Sequence, residues 1–220
     1  FTNAFNSLLR TEGAILLMPG RSAEMENLRF LLHRALEQLN PVLQAVGSNG
    51  IRAEYALDGS LSGNRLRGRA DLLLYDRNNQ PSVVDMKWGR AEERRKNLQQ
   101  GLHIQLLAYA SMVHEKTGQW PSLAYFIVKN ARLLVAPSAA TLPGEVVRHE
   151  DDESPGSLWQ RVINSFDWRM AQLQAGFFSV ADTGDTGNPM LIPPVEGLPL
   201  APGDNPYNPY RFLEGWEGNE

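Results

Sequence analysis

Two short stretches decide the fold: Gly68-Arg69-Ala70-Asp71-Leu72-Leu73-Leu74 and Ser82-Val83-Val84-Asp85-Met86-Lys87-Trp88. Both read as apolar strands, and the intervening Asp76-Arg77-Asn78-Asn79-Gln80-Pro81 has the composition of a hairpin loop. Each strand carries one acid. Alternation puts Val83, Asp85 and Lys87 on one face of the second strand and Val84, Met86 and Trp88 on the other. The second face suits a core and the first suits chemistry.

Upstream, Ile51 to Asp58 alternates as a strand, Gly59 to Gly63 reads as a turn, and Arg65 to Tyr75 is the longer strand that contains Asp71. Before them Leu28, Leu31, Leu32, Ala35, Leu36, Leu39 and Leu43 recur at spacings of three and four. This predicts a helix from Ser22, its N-cap, to about Val46, with Pro41 as a point where it can bend and Gly47 to Gly50 stopping it. The patch Ala14 to Met18 fits a helix or a strand. Beyond Gly89, the stripe Leu98, Leu102, Leu106, Ala110 and Val113 predicts one helix to about Lys116. Pro121 to Val128 follows as a strand with Arg132 to Ala136 beside it, then a surface loop over 137–156 and a helix from Ser157 to Ala175. The result is an α/β domain over residues 1–180. An extended, Pro/Gly-rich tail, 181–220, packs on the domain or on a partner, and its aromatic stretch Tyr207 to Trp216 favours its own fold.

With 220 residues, 42% of them hydrophobic, the chain can bury one good-sized core. The absence of cysteine removes disulfides, thiolate nucleophiles, zinc fingers and iron-sulfur ligation together, so any metal must be held by oxygen or imidazole. No apolar run approaches the roughly 18 residues of a membrane span, and a cytoplasmic location without a membrane partner is expected. The opening residue is Phe1 rather than Met, which points to a piece of a longer protein. A net charge of −4 argues against coating nucleic acid by bulk electrostatics, though it leaves room for a local phosphate contact. Arg90, Arg94, Arg95 and Lys96, interleaved with Glu92 and Glu93, read as a solvated helix start rather than as such a contact.

The order helix, three strands, helix, strand, with Asp71 on one strand and Asp85-Met86-Lys87 on the next, resembles the PD-(D/E)XK nuclease superfamily. Gly68-Arg69-Ala70-Asp71 is similar to the G-x-x-D strand of its RecB-like branch. Gln105-Leu106-Leu107-Ala108-Tyr109 is similar to that branch's Q-x-x-x-Y helix. The triplet alone says little, since four lysines and 25 acids in 220 residues give about half an acid-x-Lys by chance. The conjunction is what discriminates. The resemblance, covering roughly residues 24–130, implies a restriction-endonuclease-like fold with a mixed central sheet flanked by helices (αβββαβ). It also implies a Mg²⁺- or Mn²⁺-dependent DNA nuclease, exonuclease-like in recombination, repair or phage DNA processing. The runner-up is a catalytically silent DNA-binding or scaffold module attached to a helicase or other repair partner. Members that close an iron-sulfur cluster do so with cysteines this chain lacks.

The chemistry accounts for the residue types. Phosphodiester hydrolysis needs an activated water and charge stabilisation at phosphorus, both of which a divalent ion supplies, and Mg²⁺ prefers hard oxygen ligands. The resemblance makes Asp71 and Asp85 the metal-binding acids with the Met86 carbonyl, and Lys87 the group that orients the water. A surface pair is the bland reading of Asp85 and Lys87, but an idle charge in a central strand is costly. His33, mid-helix, is either a further ligand, as the branch implies, or partly buried packing, and Glu37 one turn on competes for that role. Glu54 is either a supporting acid or an ordinary strand glutamate. Gln105 and Tyr109 position the lysine and the DNA backbone on the branch's pattern, whereas His103 points away from them and His114 and His149 form no pattern.

Overall fold

The computed structural model describes residues 1–46, 50–137, 142–177 and 192–199. Contacts divide the chain into two compact units, Phe1–Gly156 and Ser157–Glu220. The first unit carries helices α1 (Thr2–Thr11), α2 (Ser22–Val46), α3 (Ala91–Gln99) and α4 (Ile104–Thr117). Its strands are β1 (Gly50–Leu61), β2 (Asn64–Tyr75), β3 (Pro81–Lys87), β4 (Ser122–Ile127), β5 (Arg132–Val135) and β6 (Glu145–Val146). They form one sheet in sequence order. Neighbours are antiparallel except β3 with β4 and β5 with β6, which are parallel. The parallel β3–β4 step is the one that needs a long crossover, and α3 and α4 supply it.

Alternation sorts the two faces. Leu72, Leu74, Val84, Ala124 and Phe126, all even-numbered, share a buried cluster with Ala35, Leu39 and Val42 of α2. Of the α2 stripe, Ala35 and Leu39 are buried and Leu43 packs against the cluster, whereas Leu36 is exposed and Val42, outside the stripe, takes a core place. The helix begins with Met25 N–H donating to the Arg21 carbonyl, so Arg21 rather than Ser22 is its cap, and it continues through Pro41. On β3 the odd-numbered Val83 is as fully buried as Val84, because the strand is central and covered on both faces. Trp88, expected in the core, lies past the strand end and is half exposed.

Three expectations need correction. The single helix after Gly89 is two, because Gly101 takes a left-handed backbone (φ 68°). Leu102 N–H donates to the Asn97 carbonyl and Gly101 N–H to that of Leu98, the hydrogen-bond pattern of a glycine-terminated helix end. The turn placed at Gly59 to Gly63 is only Ser62-Gly63, both at positive φ, and Leu61 pairs with Asn64 across it. Gly59 lies in β1, paired with Leu66, and a side chain there would meet Met112 of α4 at 2.7 Å. The loop over 137–156 contains β6 and buries Leu142, Val147 and His149.

Most of the described part of the second unit belongs to α5 (Pro155–Gln174), which opens on a proline as helices favour. From the expected extended tail, residues 192–199 are described and are tied to α5. Arg161 Nε donates to the Gly197 carbonyl, Asn164 Nδ2 to that of Glu196, and the Leu198 amide to Ser165 Oγ at 2.7 Å. The aromatic stretch Tyr207 to Trp216 lies outside the described residues. Among the described residues no helix is long and apolar enough to cross a membrane.

Candidate active site

Asp71 and Asp85 meet across the β2–β3 pair. The paired ladder ends at Leu72 opposite Val84, and one further step in the same register sets Asp71 opposite Asp85. Asp71 Oδ2 accepts a 2.6 Å hydrogen bond from the Met86 amide, which pins this carboxylate to the edge of β3. Asp85 is 1% exposed, and its Oδ2 lies 2.7 Å from Lys87 Nζ. That oxygen is buried and has no donor aligned on its lone pairs, so the lysine is an ion-pair neighbour rather than a directed hydrogen-bond partner. Burial pushes the Asp85 carboxyl above the usual carboxylate range. The Lys87 cation pulls it back, the Asp71 charge raises it, and Arg94 lowers it.

Lys87 is held from the other side. Its Nζ donates to Gln105 Oε1 at 2.9 Å, and Gln105 Nε2 donates to Tyr109 Oη at 2.9 Å, a chain running one turn along α4. The Tyr109 ring lies against Gly68, where a Cβ would stand 2.6 Å from the ring edge. The glycine of the G-x-x-D stretch therefore admits the tyrosine of the Q-x-x-x-Y stretch. Asp71 and Tyr109 are thus positioned by one strand, and Asp85 and Tyr109 are joined through Lys87 and Gln105.

Gly68 faces α4, while Leu72 and Leu74, an even number of residues away, face α2, so β2 reverses its facing in between. Asp71 sits in that interval. Opposite it on β1 is Glu54, flanked by the pairs Ala53 with Leu72 and Tyr55 with Ala70, and its backbone is left-handed at φ 50°. Irregularities of this kind re-aim side chains beside functional sites, and this one accompanies the turn of Asp71 toward Asp85. The Glu54 carboxylate itself is exposed, 3.9 Å from Arg69.

His33 is exposed on α2, stacked edge-on against Phe1 (5.2 Å) and 3.5 Å from Glu37, which is exposed as well. His103 is buried, its Nδ1 at 3.3 Å from the Asn97 carbonyl, and burial lowers it to about 4, so it is a neutral packing residue at neutral pH. Among the described residues, His149, Asp151 and Glu153 offer ligand atoms within 4.8 Å of one another. His149 Nδ1 accepts from the Asp151 amide at 3.1 Å and the Glu153 amide at 3.5 Å, which ties it to the turn before α5, while its Nε2 is buried without a hydrogen-bond partner.

The acid pair fits a hard divalent cation better. It presents carboxylate oxygens from adjacent strands, and the buried Asp85 Oδ2 lacks an aligned donor. Two contributors escaped the sequence reading. One is the Gly68–Tyr109 contact, which no local pattern signals. The other is Arg94, four residues before the buried Leu98 and hence on the inward face of α3, a spacing that was legible. Its guanidinium lies 5.9 Å over the ring of Tyr125, the β4 partner of Asp85. Burial raises the Tyr125 phenol, and the Asp85 charge raises it further.

A family model described as the PD-(D/E)XK nuclease superfamily matches residues 5–185. No curated protein matches the chain.

Proposed function

Because the chain belongs to the PD-(D/E)XK nuclease superfamily, we propose that it is a metal-dependent deoxyribonuclease of the RecB-like branch. It would hydrolyse DNA phosphodiesters in an exonuclease-like manner during recombination, repair or phage DNA processing. Asp71 and Asp85 would hold Mg²⁺ or Mn²⁺, with the Met86 carbonyl completing the protein's share, and the ion would supply Lewis-acid polarisation of the phosphate and a more acidic water. The observation that carries the reading is the unbroken run Asp85–Lys87–Gln105–Tyr109, which orients a lysine beside the acid pair from two elements. Lys87 Nζ, donating to Gln105 and ion-paired with Asp85, keeps a donor for a water or a phosphoryl oxygen. Burial of Asp85 keeps bulk water from screening these charges. Support for a nuclease domain over residues 1–180 comes from the family match, which runs through α5.

The test is incubation with linear and circular, single- and double-stranded DNA in Mg²⁺, Mn²⁺ or EDTA, alongside Asp85→Asn and Lys87→Ala. The expected result is cleavage that needs metal and is lost, by about 10³-fold or more, in both variants. Full cleavage by either variant removes the site. DNA binding without cleavage by the unsubstituted protein under every metal makes it a silent binding module.

A further inference from the structure

The helix after β3 and its N-cap carry four cations, and three have ordinary surroundings. Arg90 pairs with Glu93 at 3.4 Å, Arg95 with Glu92 and Glu145, and Lys96 is exposed. Arg94 differs. It shares the inward face of α3 with Leu98, its side chain is 25% exposed, and its Nε is buried with no hydrogen-bond partner. Its closest charged contact is Glu93 at 3.7 Å, beyond hydrogen-bonding distance. Its flat face rests over Tyr125, the residue paired with Asp85 across the parallel β3–β4 step, and its charge acts on the Asp85 carboxyl. A guanidinium has five donors in a fixed fork suited to phosphate oxygens, and leaving the buried Nε without a partner is costly.

Charge counting points to what would use them. Among the charges that act on Asp85, the two acids are balanced by Lys87 and Arg94, with Glu93 matched by Arg90. A divalent ion at the acid pair then leaves two positive charges in surplus in a partly buried site. A phosphodiester brings one negative charge and an attacking hydroxide brings another, so the surplus is cancelled when both are present, as in the transition state. Without Arg94 the balance would be reached one charge earlier. An enzyme gains rate from interactions that strengthen as charge develops, and a cation placed this way is of that kind.

We propose that Arg94 is a phosphate-binding residue of the site, donating to a nonbridging oxygen of the phosphodiester under attack. This rests on the nuclease reading above and adds a residue outside the Asp71, Asp85, Lys87, Gln105 and Tyr109 set.

The experiment uses the full chain with Arg94→Ala, Arg94→Lys and, as controls, Asp85→Asn and Lys87→Ala. Binding of a short fluorescein-labelled DNA oligonucleotide is measured in EDTA and in Ca²⁺ over a range of salt, and cleavage is measured in Mg²⁺. Loss of one phosphate contact lowers the slope of log affinity against log salt by about 0.7–0.9, a readout that a packing role over Tyr125 does not move. The expected result is that reduced slope in Arg94→Ala with kcat lower by about 10²-fold. Arg94→Lys, which keeps the charge and loses the fork, is expected to restore the slope and to recover kcat only in part. Should Arg94→Ala melt too low to assay, Arg94→Lys decides: unchanged kcat overturns the inference, and a partial fall supports it. Wild-type slope and kcat in a folded Arg94→Ala, with both controls inactive, overturns the Arg94 inference alone. Cleavage retained in the controls overturns the site itself.

Discussion

Substituting Gly68 by Ala reverses an ordinary expectation. Glycine within a strand is unfavourable relative to alanine by roughly 0.5–1 kcal/mol, and Gly68 lies inside β2, outside the left-handed region, so backbone arguments alone make Gly68→Ala stabilising. The added Cβ, however, would stand 2.6 Å from Tyr109 Cε1, 2.9 Å from Met112 Cε and 3.1 Å from Tyr109 Cδ1. Ordinary contact requires the ring to retreat by about 1 Å, and overpacking of this kind costs about 1–3 kcal/mol. The clash therefore outweighs the backbone gain, and the variant is expected to lose about 1–2 kcal/mol by urea melting. The ring cannot retreat alone, because Tyr109 Oη holds Gln105 and Gln105 holds Lys87. Misplacement of a catalytic group by about 1 Å costs up to ~10²-fold in rate, so kcat for DNA cleavage is expected to fall 10- to 100-fold with KM little changed. A cycle isolates the cause. In a Tyr109→Ala background the space is open on the ring side, and adding Gly68→Ala is expected to be neutral or stabilising and to leave the residual kcat unchanged. If Gly68→Ala alone melts higher than the parent and cleaves at the parent rate, the contact does not hold the lysine and the reasoning is refuted.

Two further outcomes follow from other parts of the fold. Burial raises Asp85 above its ordinary value of 3.8, so the folded chain holds that proton more tightly than the unfolded one. Its favourable contribution is thus full below the unfolded pKa and lost as pH rises through the folded one, leaving an ionised carboxylate that opposes folding at neutral pH. Asp85→Asn is therefore expected to melt higher than the parent at pH 7 in EDTA, the gap closing toward pH 4 and narrowing when Mg²⁺ is added. A lower melting temperature for Asp85→Asn at pH 7 would count against this. Gly101→Ala forces alanine into φ 68° at the α3–α4 break and is expected to cost about 1–2 kcal/mol in denaturant melts, whereas one continuous helix would be stabilised by the same change.

The sequence by itself determined the parts whose physics is local. Period-2 alternation around Asp85 separated the face that meets α2 from the face that bears Lys87, and both acids fell on neighbouring strands because a short polar loop can only fold back. Gln105 and Tyr109, four residues apart on a helix, were bound to share a face, as their hydrogen bond reflects. What only the tertiary structure decided were contacts between elements far apart in the chain. Gly68 has no side chain to announce that it faces the Tyr109 ring, 41 positions later. A left-handed Glu54 opposite Asp71 depends on where β1 pairs with β2, which strand periodicity does not specify. Arg94 was read with its charged neighbours as solvated because charge runs usually are. Its place on the Leu98 stripe is legible as a spacing of four, but the docking of that stripe over Tyr125 follows from the long parallel crossover between β3 and β4. The same dependence separates the outcome for the two ligand candidates on α2 and the acid pair. His33 and Glu37 lie exposed beside each other on α2, whereas Asp71 and Asp85 are brought together by a backbone register that leaves them little freedom to part.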